Sequence, residues 1–74
     1  MKKTRFAVIQ LDRRNGWLMF VSSPDGSHLS HNPFQMVTFE EQEADSLVSE
    51  LTAYVAKVTP ALVDDICISK MQLS

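Results

Sequence analysis

Between Thr38 and Val58 the apolar positions fall at Ala44, Leu47, Val48, Leu51, Tyr54, Val55 and Val58. Steps of three and four residues place them on one helical face, so this stretch predicts an amphipathic helix. Thr38 followed three residues later by Glu41 reads as a capping box. Glu40, Glu41 and Glu43 occupy the first turns, where the helix dipole favours negative charge, and Lys57 occupies the last. Pro60 ends the element, because proline cannot continue a helix.

Ahead of the helix the pattern changes to β. Thr4 to Leu11 is mostly apolar, and Trp17 to Ser22 resembles it; Asn15-Gly16 between them is a two-residue hairpin signal. That loop predicts Leu11 opposite Phe20, Arg13 opposite Leu18 and Arg14 opposite Trp17. One face then carries Ala7, Ile9, Leu11, Leu18 and Phe20, and is expected under the helix. The other carries Phe6, Val8, Trp17, Met19 and Val21 beside Gln10 and Asp12. A three-residue loop with a bulge would shift the pairing by one and mix the two sets.

Ser23-Pro24-Asp25-Gly26 is a second turn, and Ser27 to His31 is a candidate short third strand at an edge. Asn32-Pro33 stops it. After Pro60, the β-branched residues Val63, Ile66 and Ile68 mark a final strand within Leu62 to Leu73. The order is β-β-(β)-α-β, and a right-handed crossover through the helix would lay the last strand beside the first. The expected fold is α+β: a two-layer sandwich with one amphipathic helix on a small, mostly antiparallel sheet.

The 74 residues form a single domain, 1-74, with no internal repeat or linker. So short a chain buries roughly 60% of its unfolded surface, and such domains gain stability from staples or association. Cys67 is the only cysteine, so no disulfide can form within the chain, which fits a reducing compartment. No run approaches the length of a membrane span. The basic start Met1-Lys2-Lys3-Thr4-Arg5 leads into Asp12-Arg13-Arg14 rather than a cleavage site, so a cytoplasmic location is expected and no membrane partner. The net charge of −2 divides into a basic front and an acidic back half. That is a solvated helix face opposite a sheet rim, or a bipolar molecule that steers a charged partner.

Little in the chain suggests catalysis, so a non-enzyme with no cofactor is expected. His28 and His31 stand three apart in a loop or edge strand, where no helix aligns them as metal ligands. Cys67 is a nucleophile only if a histidine reaches it, and strand cysteines more often serve as small hydrophobes. With Gly16 and Gly26 the only glycines, there is no phosphate-binding loop. Arg13 and Arg14 beside Trp17 could hold phosphate and stack on a base, but the acidic helix argues against nucleic acid. With one helix for two apolar sheet faces, a partner-binding surface is expected at Phe6, Val8, Arg13, Arg14, Trp17, Met19 and Val21. The alternative is that Phe34-Gln35-Met36-Val37 folds back over part of it; otherwise a second copy, giving a homodimer, or a host protein covers it.

A Met-Lys-Lys start, a Gly-Trp hairpin, an Asn-Pro-Phe loop and a capped acidic helix together resemble the short accessory proteins of prophages and other mobile elements. That resemblance implies a small inhibitor or modulator that binds a host protein or itself. The element order, with Thr38-Phe39-Glu40-Glu41 and Ala44 opening the helix, is also similar to the N-terminal domain of HicB-type antitoxins, without their Leu-Pro-Gly-Cys ahead of the helix. It implies, as the alternative, a nucleic-acid-associated regulator.

Overall fold

The computed structural model describes residues 3–73; Met1 and Lys2, part of the basic start, lie outside them. The strands are β1 (Phe6–Asp12), β2 (Trp17–Val21), β3 (Leu29–Ser30) and β4 (Ile66–Gln72), with one α-helix, α1 (Glu41–Val58), between β3 and β4. Single 3₁₀ turns at Pro33–Gln35 and Pro60–Leu62 flank the helix segment. The strands form one sheet in the order β3-β2-β1-β4, and the helix lies on it, so the α+β two-layer reading holds.

The last strand lies beside the first, as expected, but runs antiparallel to it. Every neighbouring pair in the sheet is antiparallel. The right-handed rule governs parallel connections, so it does not apply to this one.

The first hairpin corrects the expected turn. Asp12 pairs with Trp17, Leu11 with Leu18 and Ile9 with Phe20, leaving residues 13–16 as a four-residue loop. A type I′ Asn-Gly turn needs positive φ at both residues. Here Gly16 has φ +71°, and among the described residues no non-glycine has a positive φ. Side chains hold the wider loop instead. The Asp12 carboxylate accepts the Arg14 N–H at 3.0 Å, the Asn15 side-chain oxygen accepts the Trp17 N–H at 3.0 Å, and the Asp12 carbonyl accepts the Gly16 N–H at 2.8 Å. The pairing moves by two residues, so each strand keeps its two face sets.

Which set meets the helix is the reverse of the expectation. The core contains Phe6, Val8, Val21, Phe39, Ala44 and Leu47, with Leu29, Val37, Val48, Leu51 and Ile68 packed against it. Phe6, Val8 and Val21 therefore lie beneath α1. The set Ala7, Ile9, Leu11, Leu18 and Phe20 faces away from it, joined by Cys67, Ser69 and Met71 through the β1–β4 register.

The helix start is also corrected. Thr38 does not cap it: the Thr38 hydroxyl and carbonyl accept hydrogen bonds from the Arg5 guanidinium at 2.7 to 3.2 Å. Phe39 pairs with Phe6 through two backbone bonds of 2.8 and 2.9 Å. The N-cap falls to Glu40, whose N–H donates to the Glu43 carboxylate at 3.2 Å. Along the helix, Ala44 and Leu47 are buried, whereas Tyr54 and Val58 on the same stripe are 62% and 53% exposed.

The turn after β2 follows its proline–aspartate–glycine sequence. Gly26 has φ +77°, and its N–H donates to the Ser23 carbonyl at 3.1 Å. A Cβ there would stand 2.8 Å from Leu47 Cδ1, whereas one at Gly16 would meet nothing within 4 Å. Both glycines adopt the left-handed backbone that costs other residues roughly 1–2 kcal/mol. Gly26→Ala adds a clash in the core, worth about 1–3 kcal/mol more. Urea unfolding of both variants is expected to show Gly26→Ala clearly the less stable; equal losses would mean that the turn does not abut Leu47.

Candidate interaction surface

Among the described residues, no second layer of secondary structure lies on the face of the sheet away from α1. It is nevertheless unevenly covered. Ala7 and Phe20 are buried, Ile9, Leu11, Cys67 and Met71 are half-buried, and Leu18 is 40% exposed. Ser30 pairs with Phe20 and so shares its face; the Ser30 hydroxyl donates to the Gln35 side chain. The Val37 N–H then donates to the Val21 carbonyl at 3.0 Å. These tethers carry the Asn32–Val37 loop past this face at its Ala7–Phe20 end. Ile9, Leu11, Leu18, Cys67 and Met71 remain as partly exposed apolar side chains on three adjacent strands, with Ser69 among them opposite Ile9.

The loop itself projects an aromatic. Asn32 accepts the Phe34 N–H at 3.0 Å, Pro33 opens the 3₁₀ turn, and Phe34 is 96% exposed at its centre. At the same edge Trp17, 57% exposed, meets the His31 ring edge-on at 5.4 Å. A large aromatic held in water by a fixed turn contributes nothing to the core and is the kind of residue that anchors interfaces.

The residues expected to form the surface divide into two groups. Phe6, Val8 and Val21 are buried under the helix and closed to any partner in this fold; Met19 is half-buried on that side. Trp17, Arg13 and Arg14 are exposed at the hairpin. Leu18, Ile9 and Leu11 are the expected helix-facing residues, and Phe34 belongs to the loop that the alternative would fold over the open face. A signal for the true facing was present in Lys70: a cation in phase with Ile66 and Ile68, matched to an acidic helix start. Its ammonium lies 2.9 Å from Glu41, 2.8 Å from Asp45 and 5.1 Å from the centre of the Phe6 ring. Hydrogen bonds to Asp45 and then Glu41 raise the Lys70 pKa above its ordinary value.

The hairpin arginines are differently engaged. Arg14 binds Asp12 through two guanidinium nitrogens at 3.0 and 3.2 Å. That contact lowers the Asp12 pKa and raises that of Arg14. A guanidinium already committed to a carboxylate is a poor phosphate ligand. Arg13 instead borders a groove of about 320 Å³ beside Asp64, Thr52 and Ile66.

The structure does not bring Cys67 to either histidine. Cys67 is on β4, and His28 and His31 flank β3 at the opposite edge, three strand spacings or about 14 Å across the sheet. Among the described residues, no three His, Cys, Asp or Glu side chains gather as a metal site would require. Nor is any helix among them long and apolar enough to cross a membrane. No family model matches the chain, and comparison with curated proteins and with solved structures returns no match.

A cleft of about 540 Å³ separates the second half of α1 from the β2–β3 turn, between Leu29, Leu51, Tyr54 and Ile68. Asp25 holds its turn-side wall. The Asp25 carboxylate accepts from the Ser27 hydroxyl at 2.7 Å, the Ser27 N–H at 3.0 Å and the Ser23 hydroxyl at 2.8 Å. Led by the Ser27 hydroxyl, these bonds lower its pKa from 3.8 to about 2. A carboxyl depressed by folding contributes stability above its unfolded pKa and loses it as pH falls through the folded value. Urea midpoints of the wild type are therefore expected to fall between about pH 4 and pH 2. Asp25→Asn should start lower at pH 7 and lose this part of the decline; an unchanged slope would remove Asp25 from the turn's stability.

Proposed function

We propose that this chain is a non-enzymatic protein-binding module that acts in the cytoplasm by docking a host protein on the open sheet face. The observation that carries the reading is the group of apolar side chains Ile9, Leu11, Leu18, Cys67 and Met71, left uncovered by α1, with Phe34 exposed on the loop after β3. Burying such a group is favourable at about 25 cal/mol per Å² of apolar area before association costs. An exposed aromatic adds specificity. An inhibitor or modulator needs no more than this: a small folded surface that occupies a site on a larger protein.

The internal pairing of Arg14 with Asp12 favours a protein partner over nucleic acid. Affinity capture from the native host should recover a discrete protein with the wild type. Leu18→Lys and Phe34→Ala should each reduce its recovery at least about tenfold, as expected for residues that anchor an interface. Both positions are exposed, so circular dichroism should show the fold retained. Recovery of nucleic acid that falls steeply with salt, with both variants behaving as wild type, would overturn the reading.

A further inference from the structure

The outer edge of β4 is built differently from the outer edge of β3. β3 has two residues, too few to template another strand. β4 has seven, Ile-Cys-Ile-Ser-Lys-Met-Gln, with no proline and one charge. The hydrogen-bond phase of β4 follows from its two ends. Leu73 N–H donates to the Arg5 carbonyl at 2.9 Å, and Arg13 N–H donates to the Asp65 carbonyl at 2.8 Å. In the register that pairs Phe6 with Gln72, both contacts are directly opposed pairs. Odd-numbered residues of β4 thus turn their backbone groups toward β1. Ile66, Ile68 and Lys70 turn their N–H and C=O groups outward, away from the sheet.

Lysine on an edge normally discourages further pairing. Lys70 cannot do so here, because its ammonium is drawn onto the helix by Glu41 and Asp45. The strand is also electrically asymmetric, with Asp64 and Asp65 before its start and no acidic residue from Ile66 to Gln72. Antiparallel pairing with an identical strand sets unlike ends together; parallel pairing would set like ends together.

We propose that β4 is a self-recognition edge, and that two copies of this chain join through it as an antiparallel pair around a two-fold axis at Ile68. Ile68 then exchanges N–H···O bonds with Ile68 of the second copy, and Ile66 does so with Lys70 on either side. Six backbone bonds result. Centring the axis on Lys70 would instead set two ammonium-bearing residues face to face. With the axis at Ile68, each Lys70 keeps its ammonium on its own helix, paired with Glu41 and Asp45. The product is a continuous eight-stranded sheet with both helices on one face. Its other face joins the two apolar patches across Cys67 and Met71, and the pairing stands whether or not that face binds a host protein.

Because the Ile68 N–H is not used within the monomer, it can be removed without breaking the β1–β4 ladder. Semisynthesis of the full chain by ligation at Cys67 allows N-methylation of Ile68 alone. Sedimentation equilibrium at hundreds of micromolar should show the wild type as monomer and dimer. The N-methyl chain should dissociate at least about 100-fold more readily, since two central bonds are lost and two methyl groups enter the seam. Its melting at low micromolar concentration should match the wild type, which separates lost pairing from lost folding. In the wild type, amide exchange at Ile66, Ile68 and Lys70 should slow as concentration rises, with odd-numbered β4 amides protected throughout. A wild type that stays monomeric at these concentrations, or a dimer indifferent to N-methylation, would overturn the proposal.

Discussion

The two backbone hydrogen bonds between Phe6 and Phe39 are the constraint on which the rest of this fold depends. They close the start of β1 on the side that β2 has already left, and set where the helix begins. Once Phe39 is held against Phe6, Glu40 becomes the first residue free to leave the sheet, and α1 departs over the Phe6–Val8 face. Arg5 reinforces the closure from the other side of the strand through Thr38. Lys70 then ties the first turn of α1 down to β4. Each contact crosses from one end of the chain to the middle, so the sheet and helix are cooperative with each other rather than separately stable.

This dependence explains which parts of the fold were legible in the sequence. The helix and the strands announce themselves through period, and turn residues punctuate them; those signals are local. The choice of the sheet face is not local, because β1 is apolar on both sides. Gln10 and Asp12, in phase with Phe6 and Val8, made that side look like the wetter one. Long-range partners decided otherwise: Phe39 and Lys70 both stand on the Phe6 face, and their positions follow only from the assembled sheet. The capping box failed for the same reason. Thr38 has the right spacing to Glu41, yet its oxygens were already bonded to Arg5. The Asn15-Gly16 turn gave way to a wider loop because Asp12 and Asn15 offered side-chain acceptors to it.

The site was legible in kind but not in place. An excess of apolar sheet surface over helix could be counted from the sequence, and a partly open face is what the structure has. Its residues changed because the face changed. Trp17, Arg13 and Arg14 stayed at the exposed hairpin in either facing, since a two-residue shift in pairing leaves alternation intact. Phe34 was hidden by its context, an ordinary apolar residue in a loop that could fold inward as well as not. Only its 96% exposure marks it as a presented group.

A single helix can cover one face of a four-stranded sheet and no edge. The remaining apolar face and the remaining long edge are therefore two consequences of the same economy, and they are unequal. A face is masked by side chains and by a loop, and the Asn32–Val37 segment has gone part of the way. An edge is masked only by charge, proline, brevity or another strand. β3 uses brevity. β4 turns its one charge onto the helix, where Lys70 pairs with Glu41 and Asp45. The contact that ties the first turns of α1 to β4 is thus the one that leaves the edge unguarded.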